Sequence, residues 1–173
     1  MAFAVALGLD ASAGAAARAA WEAVRQATGS TVLFDIGMEP HVTLAIYGEA
    51  EADALRAALA AFDGPPTEFA LASAGTFPGD EGVVFLAPVV DEPLLRLHRS
   101  WHALAPGSEP LYAPGAWVPH LTVGYALPDA ALPAALGAAR AALPLRGRFA
   151  SIVLVEFKRR AAGPVREIAQ RPL

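Results

Sequence analysis

Two histidines and two threonines recur in the same short pattern, once in each half of the chain. The first copy reads PHVTL at residues 40–44, and the second reads PHLTV at residues 119–123. The chain has only 4 histidines in 173 residues, so half of them lie in this repeat. In an extended strand side chains alternate between faces, so each His and the Thr two residues later point to the same side. If the two halves pack face to face, two imidazoles and two hydroxyls meet in one cleft.

These groups suit acid-base chemistry on a phosphate ester. One imidazole can take a proton from the attacking oxygen while the other gives a proton to the leaving oxygen, because histidine titrates near neutral pH. The threonine hydroxyls can donate hydrogen bonds to the phosphoryl oxygens. The pattern therefore predicts His41 and His120 as catalytic residues and Thr43 and Thr122 as substrate-binding residues. This scheme requires neither a metal nor another cofactor.

Aromatic residues precede the second copy of the motif, in a segment rich in proline and glycine at residues 106–119. Tyr112 and Trp117 lie in this predicted loop, which leads directly into His120. Aromatic rings near a phosphate site can stack on nucleobases. We therefore predict that Tyr112 and Trp117 contribute to substrate binding.

The other two histidines suggest an alternative hypothesis. His98 and His102 are four residues apart in a predicted helix, a spacing that can place two metal ligands on one face. The sequence offers no evident third ligand, and the apolar stripe of this helix consists of other residues. We interpret the pair as lying at the helix surface or at its boundary, and we predict no metal site.

The composition narrows the class of protein. The sequence contains no cysteine, which excludes disulfides, thiolate metal sites and a cysteine nucleophile and agrees with a reducing, cytoplasmic location. Asp10 interrupts the first apolar run and no basic segment precedes it, so we expect a strand and a helix there rather than a signal peptide. No apolar run is long enough for a transmembrane helix. Residues 140–173 carry a net charge of +6, whereas the first 139 residues carry −10. This local excess of positive charge indicates either a binding region for a small anionic ligand or a nucleic-acid end, or a pair of strands whose basic side chains simply face solvent.

Short strands alternate with helices along the chain. Helix N-cap residues, glycine and proline punctuation and apolar periodicity set the expected boundaries. The predicted strands are 3–9, 31–34, 41–47, 68–74, 83–89, 120–125, 149–157 and 165–170. The predicted helices are 12–28 with Ser12 as N-cap and Gly29 as C-cap, 51–62, one opened by Asp91 or Glu92 and ending at 104, and one that Pro128 precedes and that ends at 143. Hairpin-like strand pairs occur among the alternating elements, which favours an α+β fold over a doubly wound parallel sheet.

The paired motifs resemble the signature of the two-histidine phosphoesterase superfamily, especially its 2′-5′ RNA ligase-like bacterial branch. The resemblance implies a single bilobal domain over residues 1–173 with pseudo-twofold symmetry. Two antiparallel-rich sheets would line a central cleft, the helices would lie outside, and each lobe would provide one His-x-Thr strand. It also implies phosphodiesterase activity without a metal, on a 2′,3′-cyclic phosphate end of RNA or on a small cyclic nucleotide.

Several functions remain open at this stage. The same cleft could serve a non-catalytic RNA- or nucleotide-binding module, which would need no protonatable pair. A metal-dependent hydrolase could be built on His98 and His102. Ligation, the reverse of the same transesterification, would use the same groups. We expect a monomer with no membrane partner.

Overall fold

The computed structural model describes residues 1–48, 52–77, 81–158 and 164–173. Within these ranges the elements alternate in the following order: β1 (Ala2–Leu9), α1 (Ala11–Thr28), α2 (Val32–Asp35), β2 (His41–Tyr47), α3 (Ala52–Ala61), β3 (Thr67–Thr76), β4 (Val84–Pro88), α4 (Glu92–Leu104), β5 (Leu121–Gly124), α5 (Leu132–Arg140), β6 (Leu145–Phe157) and β7 (Arg166–Pro172). Short 3-10 turns lie at Pro110–Tyr112 and Asp129–Ala131.

One predicted strand is wrong. Residues 31–34 lie mostly in the short helix α2 rather than in a strand. The Thr31 hydroxyl donates to the Asp35 carboxylate at 2.7 Å, and the backbone N–H of Asp35 bonds to the Thr31 carbonyl. This polar pair, four residues apart, favours a helical turn. The apolar run between the two residues is too short for its period to distinguish a strand from a helix.

Two predicted elements differ from the structure by more than two residues at a boundary. The helix predicted to follow Pro128 and to end at residue 143 is a 3-10 turn followed by the shorter α5. Strand β6 begins at Leu145, four residues before its predicted start. The predicted helix start at residue 51 lies outside the described residues, and α3 is described from Ala52.

The start of helix α1 is set by Asp10 and not by the predicted N-cap, Ser12. One carboxylate oxygen of Asp10 accepts the N–H of Ala13 at 2.9 Å, and the other accepts the N–H of Arg148 at 2.6 Å. The helix therefore starts directly where β1 ends, and Asp10 ties its first turn to β6. The predicted C-cap is confirmed, because Gly29 has φ 76° and closes the helix with a bond to the Arg25 carbonyl.

All hydrogen-bonded strand pairs in the described chain are antiparallel. The strand order is β2-β1-β6-β3-β4-β5, and β7 also pairs with β6. The first residues of β6 pair with β3 and its remaining residues pair with β1 and β7, so β6 joins the two expected sheets into one. Strands β2 and β5 stand at opposite ends of this order and nevertheless contact each other, so the sheet curls strongly. This curl brings the two copies of the repeated motif together.

The helices pack on the curled sheet and on each other. Helix α1 packs on α5, β5 and β6, and α4 packs on β2 and β3. One apolar cluster runs through the interior, with Trp101, Phe62 and Phe149 among its largest fully buried members. No helix in the described ranges is both long and apolar enough to cross a membrane.

Candidate active site

Strands β2 and β5 divide their side chains between the interior and the site, as the alternation predicts. Val42, Leu44, Leu121 and Val123 are at most 1 % exposed and belong to the core. The intervening His41, Thr43, His120 and Thr122 are all half-buried. Burial of the aliphatic positions fixes the register of each strand, because a slip by one residue would turn the apolar side chains outward.

The two catalytic candidates are held in the same way. In each motif the Nδ1 atom of the histidine lies 2.8 Å from the carbonyl oxygen two residues earlier, that of Glu39 for His41 and that of Val118 for His120. A carbonyl can only accept, so Nδ1 carries the hydrogen and the neutral ring keeps its lone pair on Nε2. The proline between each carbonyl and its histidine fixes the backbone φ angle. Both rings are therefore set in the tautomer that leaves Nε2 available for proton transfer.

The pKa values of both imidazoles are lowered. Burial is the main cause for His41; the bond to the Glu39 carbonyl opposes it, and repulsion from His120 lowers the pKa further. Burial also lowers the pKa of His120, against the opposing effect of its bond to Val118. Repulsion between the two rings means that they lie close enough to influence each other's charge. Charging one ring therefore makes charging the other more costly.

The surroundings of His120 are aromatic. Phe77 meets the imidazole edge to face with ring centroids 4.8 Å apart, and the Phe85 ring centroid is 5.5 Å away. Phe77 and Phe85 stack on each other at 4.4 Å. Phe85 lies directly opposite Thr122 in the pairing of β4 with β5, so it shares the face of the motif. Sequence analysis did not single out Phe85, because β4 lies in a continuous apolar run without alternation.

The surroundings of His41 are open and more polar. A cavity of about 610 Å³ lies beside it, lined by the end of β1, the first half of α1, residues 37–41 and the strands β6 and β7. Gly8 pairs with His41 across β1 and β2, and a Cβ atom at Gly8 would lie 2.3 Å from the Ser151 hydroxyl. A side chain at Gly8 would therefore require the Ser151 hydroxyl to move. Three carboxylates and one guanidinium line the cavity: Asp10, Glu39, Glu167 and Arg18.

The basic carboxy-terminal region does not supply that cavity with positive charge in the described part of the chain. Arg18 from α1 is the cation in the described lining, and it forms an ion pair with Glu39. Arg166 pairs instead with Glu156, and Arg171 donates to the carbonyl of Ala60 at 2.6 Å. The two arginines of this region at positions 159 and 160 lie outside the described residues.

The histidines of α4 are buried, contrary to the predicted surface or boundary position. His98 is 1 % exposed and donates from Nε2 to the Tyr112 carbonyl at 2.9 Å, and His102 is 8 % exposed and donates to the Leu44 carbonyl at 3.2 Å. Burial and repulsion from His102 lower the pKa of His98 to about 4. The helical periodicity showed which residues share a face but not that a loop would cover that face. No group of three or more His, Asp or Glu side chains in the described ranges is placed to hold a metal ion.

The two aromatic residues of the loop lie against these histidines. Trp117 stacks on His98 with ring centroids 4.0 Å apart and planes within 3°, and its indole N–H donates to the Thr43 carbonyl at 2.9 Å. One face of the indole is thus covered, so only the opposite face could stack on a base. The Tyr112 side chain is half-buried, and burial and the charges of Glu81 and Glu109 raise its pKa. Substrate contact by Trp117 and Tyr112 stays a prediction.

Comparison with known proteins identifies the family. The sequence profile of the 2′-5′ RNA ligase superfamily matches residues 13–161. The match spans most of the chain, and the chain therefore belongs to this superfamily. No curated protein matches the sequence significantly.

Solved structures share the fold across their whole length. The protein TT0787 of Thermus thermophilus is 22 % identical with a TM-score of 0.63, and the match covers 100 % of this chain and 98 % of that one. LigT of E. coli, in a complex with ATP, is 20 % identical with a TM-score of 0.60 over 99 % of this chain and 96 % of its own. A structure described as a phosphoesterase is 21 % identical with a TM-score of 0.62, covering 99 % and 97 %. The predicted α+β fold of the two-histidine phosphoesterases is thereby confirmed.

Proposed function

We propose that the chain is a metal-independent phosphodiesterase that hydrolyses cyclic phosphates, either a 2′,3′-cyclic phosphate at an RNA end or a small cyclic nucleotide. The observation that carries this proposal is the matched pair of histidines. Both donate from Nδ1 to the carbonyl two residues earlier, and each is thereby fixed with Nε2 available. A pair of fixed imidazoles that repel each other is suited to hold one proton between them, as acid-base catalysis requires.

The proposed reaction is a substitution at phosphorus. One neutral imidazole removes a proton from water as the water oxygen bonds to phosphorus. The other imidazole, protonated at the start, gives its proton to the ribose oxygen as the bond between phosphorus and that oxygen breaks. The product is a phosphate monoester with a free ribose hydroxyl, and the proton positions of the two rings are exchanged.

The threonines and the loop aromatics complete the proposed site. Thr43 and Thr122 each lie two residues from a catalytic histidine on the same strand face, so their hydroxyls can donate to the phosphoryl oxygens that carry the developing charge. Tyr112 and the uncovered face of Trp117 would contact a base. LigT has been crystallised with ATP, with 3′-AMP and with phosphate, which supports a nucleotide or phosphate ester as the ligand class.

The cavity beside His41 favours a short substrate over a long polynucleotide. Its volume of about 610 Å³ can accept a nucleoside. Its described charged lining of three carboxylates and one arginine disfavours a series of further phosphates, because like charges repel in a partly buried site. A single terminal nucleotide or a mononucleotide suits these charges better.

The decisive experiment is a panel of cyclic phosphates incubated with the purified protein in excess EDTA, with the product isomers separated. We expect turnover in EDTA and one dominant isomer, which identifies the ribose oxygen that leaves. Turnover that EDTA abolishes and zinc or manganese restores would refute the two-histidine mechanism, since a bound cation would then activate the water.

Two further outcomes distinguish the remaining hypotheses. Binding of cyclic nucleotides without turnover, unchanged by His→Gln at both motifs, would indicate a non-catalytic binding module.

If an RNA 5′-hydroxyl replaces water as the attacking group, the same two proton transfers form a 2′-5′ phosphodiester. Assays with a 5′-hydroxyl oligonucleotide added in excess therefore test the ligase direction.

A further inference from the structure

The indole N–H of each of the three tryptophans donates a hydrogen bond within the fold. Two of these hydrogen bonds are accepted by backbone carbonyls of the repeated motif. Trp117 donates to the carbonyl of Thr43, and Trp21 donates to the carbonyl of Thr122, each at 2.9 Å. The third, Trp101, donates to the hydroxyl of Tyr47 at 2.8 Å. The two motif threonines are thus bonded at equivalent backbone atoms by tryptophans that lie outside the motifs.

These bonds act where the sheet is least supported. In the described sheet, β2 pairs with β1 and β5 pairs with β4, so each motif lies on an edge strand. An edge strand has backbone groups that no neighbouring strand can bond, and it shifts more easily than a central strand. A bond to the threonine carbonyl therefore restrains the residue whose side chain faces the site and whose histidine lies two positions earlier.

The bond from Trp117 also connects one motif with the other. Trp117 lies three residues before His120, and the intervening Val118 supplies the carbonyl that holds the His120 ring. Its indole reaches across to Thr43 in the other motif. A single side chain thereby links the backbone approach to one histidine with the strand that carries the other.

Helix α4 holds this link in place. The stack of His98 on Trp117 is nearly parallel, at 4.0 Å and 3°, and His98 is itself fixed by its bond to Tyr112. His102, whose ring lies 4.4 Å from that of His98, bonds to the carbonyl next to Thr43 in sequence, that of Leu44. The two buried histidines thus restrain the first motif, His102 through its hydrogen bond to Leu44 and His98 through its stack on Trp117.

We propose that Trp117 and Trp21 are positioning residues that set the spacing of the two His-x-Thr strands, with Trp117 acting across both motifs. This inference rests on the proposed phosphodiesterase function. Neither indole N–H takes part in the reaction. Its effect passes through the motif backbone to the imidazoles and hydroxyls, where a displacement of about 1 Å can cost on the order of a hundredfold in rate.

The three tryptophans provide a matched test, because phenylalanine at each position keeps an aromatic ring and removes the N–H. We expect Trp117→Phe and Trp21→Phe to lower kcat by roughly tenfold. The KM should change much less than kcat for Trp21→Phe, whereas the smaller ring at position 117 should also raise KM through reduced contact with the base. Trp101→Phe loses the same type of bond, at the other end of β2 from His41, and should keep kcat within about twofold. Equal kcat values for all three variants, with similar losses in Tm, would show that the indole bonds serve stability alone.

A second readout does not depend on turnover. Burial and repulsion from His120 both lower the pKa of His41, and both depend on the position of its ring in the site. NMR titration of the Cε1 proton of His41 measures this pKa. Looser motifs should bring the pKa of His41 closer to its usual value in Trp117→Phe and leave it unchanged in Trp101→Phe. No change in either variant would overturn the proposal. Absence of turnover by the unmodified protein would instead count against the proposed function, with the titration still deciding the positioning role.

If Trp117→Phe does not fold, benzothienylalanine at position 117 replaces it in both assays. This residue keeps the bicyclic shape and the stack on His98 but has sulfur in place of the N–H. We expect the same fall in kcat as for phenylalanine. Full activity of the benzothienylalanine protein would show that the hydrogen bond to Thr43 has no positioning role.

Discussion

Removal of each imidazole that we propose to be catalytic, first one at a time and then both together, tests the proposed mechanism most directly. The variants are His41→Ala, His120→Ala and the double variant. Each single change should lower kcat by roughly 10²–10⁴, the range for a lost general acid or base. Independent effects would multiply to about 10⁴–10⁸ in the double variant. We expect the double variant to be only slightly slower than the slower single variant, because one imidazole without the other cannot complete both proton transfers.

The same variants predict a change in pH dependence whose sign follows from the structure. In the unmodified protein the pKa values of both rings are lowered, so a bell-shaped profile of kcat/KM should have its optimum below the usual histidine value of about 6.5. His120→Ala removes the repulsion that acts on His41 but leaves the burial. The pKa of His41 should therefore rise and still remain below its usual value.

The assay is kcat/KM from pH 4.5 to 8.5 on a cyclic nucleotide, combined with NMR titration of the remaining histidine. Thermal unfolding of each variant provides the control for loss of folded protein. We expect only small changes in Tm, because both side chains are half-buried and their described hydrogen bonds are to carbonyls two residues away. Single variants that lose only a few-fold in kcat, or a double variant whose loss is the product of the two, would refute the acid-base pair.

Three further predictions follow from the site and its surroundings. Thr43→Val and Thr122→Val should each lower kcat/KM by roughly 10- to 150-fold, the equivalent of one charge-assisted hydrogen bond of about 1.5–3 kcal/mol, and a loss below threefold would contradict the phosphoryl contact. Ala15→Trp should raise KM for nucleoside cyclic phosphates but not for glycerol cyclic phosphate, because Ala15 lines the cavity beside His41. Ala16→Trp is the control, because Ala16 is also exposed on α1 but does not line the cavity, and it should change neither KM. Equal effects of the two changes would contradict a nucleoside in that cavity. His98→Ala should lower the free energy of unfolding by about 2–4 kcal/mol at pH 7.5. It should also remove a loss of stability between pH 6.5 and pH 4, because His98 takes up a proton near pH 6.5 in the unfolded chain but only near pH 4 in the fold. Denaturation at pH 7.5, 6.5 and 4 measures both effects, and an unchanged acid dependence would contradict the buried neutral ring.

The orientation of the motif side chains was predictable because it follows from local alternation along each strand. Alternation along β2 and β5 fixes which side chains face the core, and two aliphatic residues in each motif are enough to decide it. Element types along the chain follow from the same kind of periodicity. The Asp10 cap was missed because its carboxylate serves two elements at once, the first turn of α1 and the N–H of Arg148 in β6.

Contacts between distant segments could not be read from local patterns. The meeting of β2 and β5 depends on the curl of the whole sheet, so the sequence suggested it only through the resemblance of the paired motifs to a family. His98 and His102 have polar side chains beside an apolar stripe, and only the covering loop, with Tyr112 and Trp117, makes them interior residues. Phe85 lies in a continuous apolar run, which gives no indication of the face that each residue occupies.

The repeated motif makes the two halves of the site equivalent, and the residues around it make them different. Both histidines have the same tautomer and the same backbone bond, so nothing within the motifs can assign one as acid and the other as base. His120 is enclosed by the rings of Phe77 and Phe85, whereas His41 borders a cavity with carboxylates in its lining. Any division of roles therefore arises from non-repeated residues. A substrate whose nucleoside occupies the cavity would place its phosphate in one orientation between two otherwise similar rings.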